Sequence, residues 1–443
     1  MSPSTTFAGR GSRAARLVTL SLTAALAFAG CSGSSPGSTA SVPTDASQVK
    51  GDLNIVVSSA PGSDAGFKAV NDAFAAKYPN VKVNFSAVPN ENYSQTRTSR
   101  LSAGSIDLVV ANPIELPSYV PAANEGDDAR LADAGGWVDL TSQPFMSKFI
   151  PTVLDQIKYK GKNYTVPTGL SYYSGLTYNK KIFADNNLQV PTTWDEFVKV
   201  CDTLKAKGIT PISIGAKDTA GIIMLSVVQS LYPTAAAKQD LAKGLYGYTV
   251  KLNEGQQLEV LKKTQQIYTY GQANFAGSNY SQMTSDFLTG KAAMISDGTW
   301  NVGSLRSANK VDFGYFPLPA SNTAADNASL GGKVELSLGV PGNAKNIPAA
   351  MAWLQVFADN YSAFNTQAGF APSQAGVAGD PFYTDVASYT KTFQPAWDII
   401  WIPNTKAGQA AALPFNWTAV TPMGSSDAQA AADAAEKDWE AGK

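Results

Sequence analysis

The chain has no histidine among its 443 residues. That absence excludes Ser-His-Asp and Cys-His nucleophile pairs and the HExxH zinc motif, each of which needs an imidazole to move a proton or hold a metal. Cysteine is almost as scarce, with only Cys31 and Cys201. If Cys31 is consumed in an N-terminal signal, no internal disulfide can form, and Cys201, inside a predicted helix over 194–207, is expected to be a small buried residue. Net charge is small, with 34 basic against 35 acidic residues, and no basic run occurs. Nucleic acid is therefore not an expected partner. Beyond residue 16 the only arginines are Arg97, Arg100, Arg130 and Arg306, few for a cleft that would hold a phosphate. The apolar stretch from Leu17 to Ala29 is broken by Thr19, Ser21 and Thr23. It falls short of the roughly 20 residues that a spanning helix needs.

What is present at the N-terminus is an export signal. Arg10, Arg13 and Arg16 precede that apolar stretch with no acidic residue before it, the layout of a secretory signal peptide over 1–30. Phe28-Ala29-Gly30-Cys31 resembles a bacterial lipobox, with Phe28 where leucine is usual. The resemblance implies that Cys31 is lipidated and becomes the first mature residue, on the outer face of the cell membrane. More than one acyl chain gives stable anchoring. The alternative is an ordinary signal peptide with a chance cysteine. Residues 31–50 lack large apolar groups and read as a flexible tether.

From Gly51 onward, strand and helix patterns alternate. Leu53 to Val57 is an apolar run, Phe67, Val70, Phe74 and Tyr78 recur at helical spacing, and Val81 to Phe85 alternates with period two. A helix over 91–103 and a buried strand over 106–110 follow. This is the pattern of an α/β lobe with a largely parallel sheet. Thr193, with Glu196 three residues on, is placed to cap the helix that starts at Trp194. Further helices are expected over 348–359 and 426–440, and strands over 210–214, 291–296 and 335–340. So long a mature chain exceeds what one core organises, so two lobes are expected.

Specific motifs begin at Tyr159. The blocks Tyr159 to Gly169, Leu176 to Phe183 and Val190 to Phe197 are followed by Phe287 to Met294 with Asp297-Gly298-Thr299-Trp300. Then come Phe316 to Pro319, and Gly331-Gly332 ahead of Ser337 to Pro341. In this order they resemble the extracellular solute-binding proteins of ABC importers, in particular the carbohydrate-type family 1, the maltose-binding-protein-like branch. The resemblance covers about residues 51–380, and Ile106-Asp107 departs from the Pro-Asp that relatives often carry. It implies an α/β, two-lobe periplasmic-binding-protein-like fold with discontinuous lobes and a hinge. The expected division is 51–168 with 292–336 for lobe one and 169–291 with 337–443 for lobe two, with crossings near 168–172, 291–296 and 336–341. Ligand is expected between the lobes, closing the hinge.

A sugar offers apolar C–H faces ringed by hydroxyls, so its site needs flat aromatics beside polar side chains, and 8 Trp and 18 Tyr suffice to build one. Trp300 is a candidate stacking surface or else lobe core, and Asp297 a hydroxyl acceptor or else a turn residue. Tyr172 and Tyr173 lie on an expected crossing, where adjacent residues face opposite ways, so one can face ligand. Asp64, in the loop before the first helix, either caps that helix or meets ligand. Asn112 follows a strand at the end where ligands bind in open α/β sheets. Lys333 and Glu335 reach a hydroxyl or form a surface pair. Trp397 and Trp401, four residues apart near Phe415 and Trp417, share a helical face that is either core or platform.

The expected function is a lipid-anchored receptor, monomeric and without cofactor or metal, that captures a carbohydrate and delivers it to ABC permease subunits. A receptor for another solute, such as a glycerophosphodiester, polyamine or iron chelate, stays open. So does a secreted glycosidase, whose paired carboxylates need no histidine.

Overall fold

The protein is described by a computed structural model over residues 40–443. The signal peptide and Cys31 lie outside the described residues.

Two sheets organise the chain. In the first, the strand Gly51–Ser58 lies parallel between Val81–Val88 and Leu108–Val110, with Ile55 opposite both Phe85 and Leu108. Leu338–Gly339 and Thr165–Val166 complete that sheet, the former antiparallel to both its neighbours. The helical spacing of Phe67, Val70 and Phe74 places all three, fully buried, on the inner face of the helix Pro61–Lys77. That face meets the helices Ile347–Asp359 and Tyr361–Ala368, with the Phe67 ring 4.9 Å from Phe364 and Trp353 stacked on Phe357.

The second sheet runs Phe313–Pro317, Gly175–Asn179, Ala292–Ile295, Thr210–Ser213. The helix Trp194–Ala206 covers it, opened by the expected capping box: Glu196 N donates to Thr193 Oγ1 and Glu196 Oε2 accepts from Thr193 N. Cys201 is buried in this lobe, and burial pushes its thiol up. The helix Ala220–Leu231 is apolar on nearly every side because it is the lobe's central helix. No single helix among the described residues is long and apolar enough to cross a membrane.

The lobes meet at a three-stranded sheet, Gln394–Pro395, Gly331–Glu335 and Gly169–Tyr172. Beside it a third segment crosses at 369–374, where Leu170 and Ala371 exchange backbone hydrogen bonds of 2.8 and 2.9 Å. Tyr361 binds these together, its hydroxyl donating to Thr168 O and accepting from Ser373 N.

Strand pairing corrects the expected division. Residues 292–317 belong to the second lobe, because Ala292–Ile295 is buried throughout and hydrogen-bonded between two strands of that sheet. It is a central strand, not a crossing; the third crossing is 369–374. Residues 338–368 belong to the first lobe through Leu338–Gly339 and the helices packed on Pro61–Lys77. The single strand expected over 335–340 is split at Leu336, which takes φ +38° where the chain passes between sheets. The tether is also shorter than expected. Val49 is buried, Val42 and Ala46 pack on the first core, and Gln143 Nε2 donates to Ala40 O, so residues 40–50 are docked on the lobe.

Candidate functional site

The crossing strands bring the candidate residues together where the lobes meet. Lys333 lies opposite Ser171 and Glu335 opposite Gly169, so the period of two puts Ser171, Tyr173, Lys333 and Glu335 on one face. Tyr172 takes the other face, packed near Phe393 at 6.3 Å among the residues behind the second sheet. Of the tyrosine pair, Tyr173 is the residue beside Trp300. The glycine at 332 is required here, since a Cβ would stand 2.3 Å from Ser171 O on the facing strand.

Trp300 is half-buried and packs against the hydrophobic cores of both lobes. Its ring lies 5.5 Å from that of Tyr173, and Lys333 Nζ sits over both rings, 5.5 and 5.9 Å from their centroids. The ring folds back over Gly298, where a Cβ would meet it at 2.3 Å, so the Asp297-Gly298-Thr299-Trp300 motif is a turn shaped to place an indole. Thr299 Oγ1 accepts from Tyr172 N at 3.0 Å and ties that turn to the crossing.

Asp297 departs from its expected ligand role. It is fully buried, and its carboxylate accepts from Tyr280 Oη, Gly298 N and Asn301 Nδ2 at 2.7–3.1 Å. It stabilises the turn and does not reach the cleft. Burial without a cationic partner pushes its carboxyl up to about 7, against the lowering effect of those hydrogen bonds.

Trp397 and Trp401 are also placed otherwise than as a platform. They are 1% and 2% exposed, stack at 5.3 Å, and donate through Nε1 to Leu413 O and Ala412 O. Helical spacing turned both inward, against Trp439 and Phe415. The residue between them that faces outward is Asp398, which composition alone did not single out. Its Oδ1 accepts from Tyr173 Oη at 2.8 Å. The side chain is exposed, yet neighbouring protein pushes its carboxyl above the ordinary range, and the Tyr173 hydrogen bond and Lys333 offset part of that. Burial and the Asp398 charge push the Tyr173 phenol well up in turn. Ser171 was missed as well; its hydroxyl donates to Glu335, which also pairs with Lys333 at 3.4 Å.

On the first lobe, Asp64 accepts from Ser59 Oγ at 2.5 Å and from Ala60 N at the start of its helix. Asn112 is exposed beyond the end of Leu108–Val110 and donates its N–H to Asp128. Among the described residues neither hydrogen-bonds to the Trp300 group. The lobes also touch at the cleft mouth. Asn124 Nδ2 donates to Tyr246 Oη at 3.1 Å, and Asn124 Oδ1 accepts from Thr405 Oγ1 at 2.9 Å. Between Pro117–Tyr119 and Gln239–Lys243 lies an open recess of about 720 Å³. Among the described residues no group of three or more acidic, cysteine or histidine side chains could hold a metal.

Two discontinuous lobes joined by three side-by-side crossings, with an aromatic-polar group between them, define a two-lobe protein of the periplasmic binding type. The profile described as "Bacterial extracellular solute-binding protein" matches residues 58–363, and the chain belongs to that family. The family is made of exported binding proteins. The chain is 25% identical over 293 residues to the "Multiple sugar-binding protein" of Streptococcus mutans, covering 65% of this chain and 66% of that one. It is 26% identical over 275 residues to a "Probable sugar-binding periplasmic protein" of Mesorhizobium japonicum, covering 60% and 61%. The chain thus spans just under two thirds of these relatives. Among solved structures, the solute-binding protein RafE in complex with raffinose superposes with a TM-score of 0.72 at 20% identity, over 88% of this chain and 100% of that one. The GacH receptor of Streptomyces glaucescens gives 0.66 at 17% identity, over 89% and 98%.

Proposed function

We propose that this chain is the receptor subunit of an ABC importer that holds a carbohydrate, most suitably an oligosaccharide, between its lobes and presents it to the permease without altering it. One observation carries the reading: Trp300, half-buried and touching both cores, forms with Tyr173 an aromatic corner beside Lys333, Glu335 and Asp398. An aromatic corner beside carboxyl acceptors and a donor matches the C–H faces and hydroxyls of a sugar. The sugar-binding names of the relatives and the raffinose complex of a neighbour support it. Acylation of Cys31 would hold the monomeric receptor at the outer face of the membrane, where closure rather than chemistry is its output.

The test is a thermal-shift panel of raffinose, stachyose, maltotriose and chitotriose, followed by calorimetry and product analysis. A raised melting temperature with unchanged sugar is expected. Trp300→Ala should weaken binding at least tenfold, as loss of a stacking aromatic costs on the order of 2 kcal/mol or more. Cleavage of any sugar, or full affinity in that variant, would defeat the reading.

A further inference from the structure

The charges on the cleft floor do not cancel. Among the described residues Lys333 is the one cation in the Trp300 group, and it is already engaged: Glu335 Oε1 lies 3.4 Å from Nζ, and the Trp300 and Tyr173 rings lie beneath it. Glu335 is itself held by the Ser171 hydroxyl and is nearly buried. That leaves Asp398. Its side chain accepts from the neutral Tyr173 hydroxyl, Lys333 acts on it only at longer range, and among the described residues no lysine or arginine forms an ion pair with it. An exposed carboxylate held by a phenol and lacking an ion-pair partner keeps acceptor positions free for a donor or a cation brought by a ligand.

We propose that the cleft selects its saccharide by charge, accepting neutral and amino-bearing sugars and rejecting those with a carboxylate or phosphate, with Asp398 as the selecting residue. The proposal rests on the carbohydrate-receptor reading and names the class of sugar that this site takes. A uronate would enter beside Asp398 with its counter-charge, Lys333, already paired to Glu335. A sugar ammonium would instead meet a carboxylate that has no ion-pair partner among the described residues, a charge-assisted contact.

The test takes whichever sugar of the panel above gives the largest shift and compares it with its terminal 6-amino-6-deoxy and 6-carboxyl derivatives, by calorimetry at low and high salt. The amino derivative is expected to bind at least as tightly as the parent, with an affinity that falls as salt rises, and the carboxyl derivative at least tenfold more weakly. Asp398→Asn keeps an acceptor for Tyr173 and removes only the charge. It should lower the ratio of amino to neutral affinity about tenfold while changing the neutral sugar less. Equal or tighter binding of the carboxyl derivative, weaker binding of the amino derivative than of its parent, or an unchanged ratio in Asp398→Asn would overturn the charge rule alone. A panel in which no sugar shifts the protein would defeat the carbohydrate reading and the charge rule with it.

Discussion

At the scale of single residues, two tryptophans that look alike in the sequence do opposite work. Trp300 is half-buried between the two cores and is our proposed stacking surface; Trp397 is core. Trp397→Ala should therefore cost about 3–5 kcal/mol of stability, read as a lower denaturation midpoint, while the folded fraction keeps its ligand affinity. An unchanged midpoint with lost affinity would return Trp397 to the site. Asp297 makes a pH prediction. Its carboxyl is pushed up to about 7 from an ordinary 3.8, so between those values the folded protein holds a proton that the unfolded chain has released. Stability from this group is greatest below about pH 4, falls as pH rises toward 7, and is level above it. Histidine usually blurs this window and the chain has none, although Asp398, also raised, adds a slope of the same sign. Melting temperatures from pH 4.5 to 7.5 should decline in the wild type and decline less in Asp297→Asn. Equal slopes would show that the buried carboxylate is not the cause.

Elements were more legible than residues, and the reason is local. The capping residues of Trp194–Ala206 and the spacing of Phe67, Val70 and Phe74 act within a few positions, so sequence alone places them. Lobe membership depends on pairing partners more than a hundred residues away. Ala292–Ile295 and Leu338–Gly339 are both short apolar strands, and nothing in their patterns says which sheet each enters. The candidate site shares that limit: Trp300 and Lys333 stand in motifs that single them out as candidates, whereas Asp398 becomes visible only when Tyr173, 225 residues away, donates to it. The crossings themselves hang on Tyr361, whose hydroxyl serves Thr168 O, Ser373 N and Ser373 Oγ at 2.8–3.0 Å. Tyr361→Phe keeps the ring packed and strands those partners, so urea denaturation should show a loss of about 1–3 kcal/mol. A loss under a few tenths would mean that the crossings do not depend on this link.

On the scale of the whole molecule, two of the places where the lobes meet differ in character. The crossings are covalent and buried. At the other, Asn124 of the first lobe reaches Tyr246 Oη and both the N–H and hydroxyl of Thr405, while Tyr119 packs 5.8 Å from the Tyr246 ring. Such a contact can form only when the lobes approach, so it contributes to the closed state and nothing to the open one. Three hydrogen bonds at a partly exposed mouth are worth about 1–3 kcal/mol together. Asn124→Ala should accordingly leave melting of the ligand-free protein within about 0.5 kcal/mol, because the core is untouched. It should speed ligand release by about tenfold, since affinity changes within one interface fall mostly on dissociation. Stopped-flow release, followed through Trp300 fluorescence, measures the effect. Release at the wild-type rate would show that the crossings and the ligand close the cleft without help from its mouth.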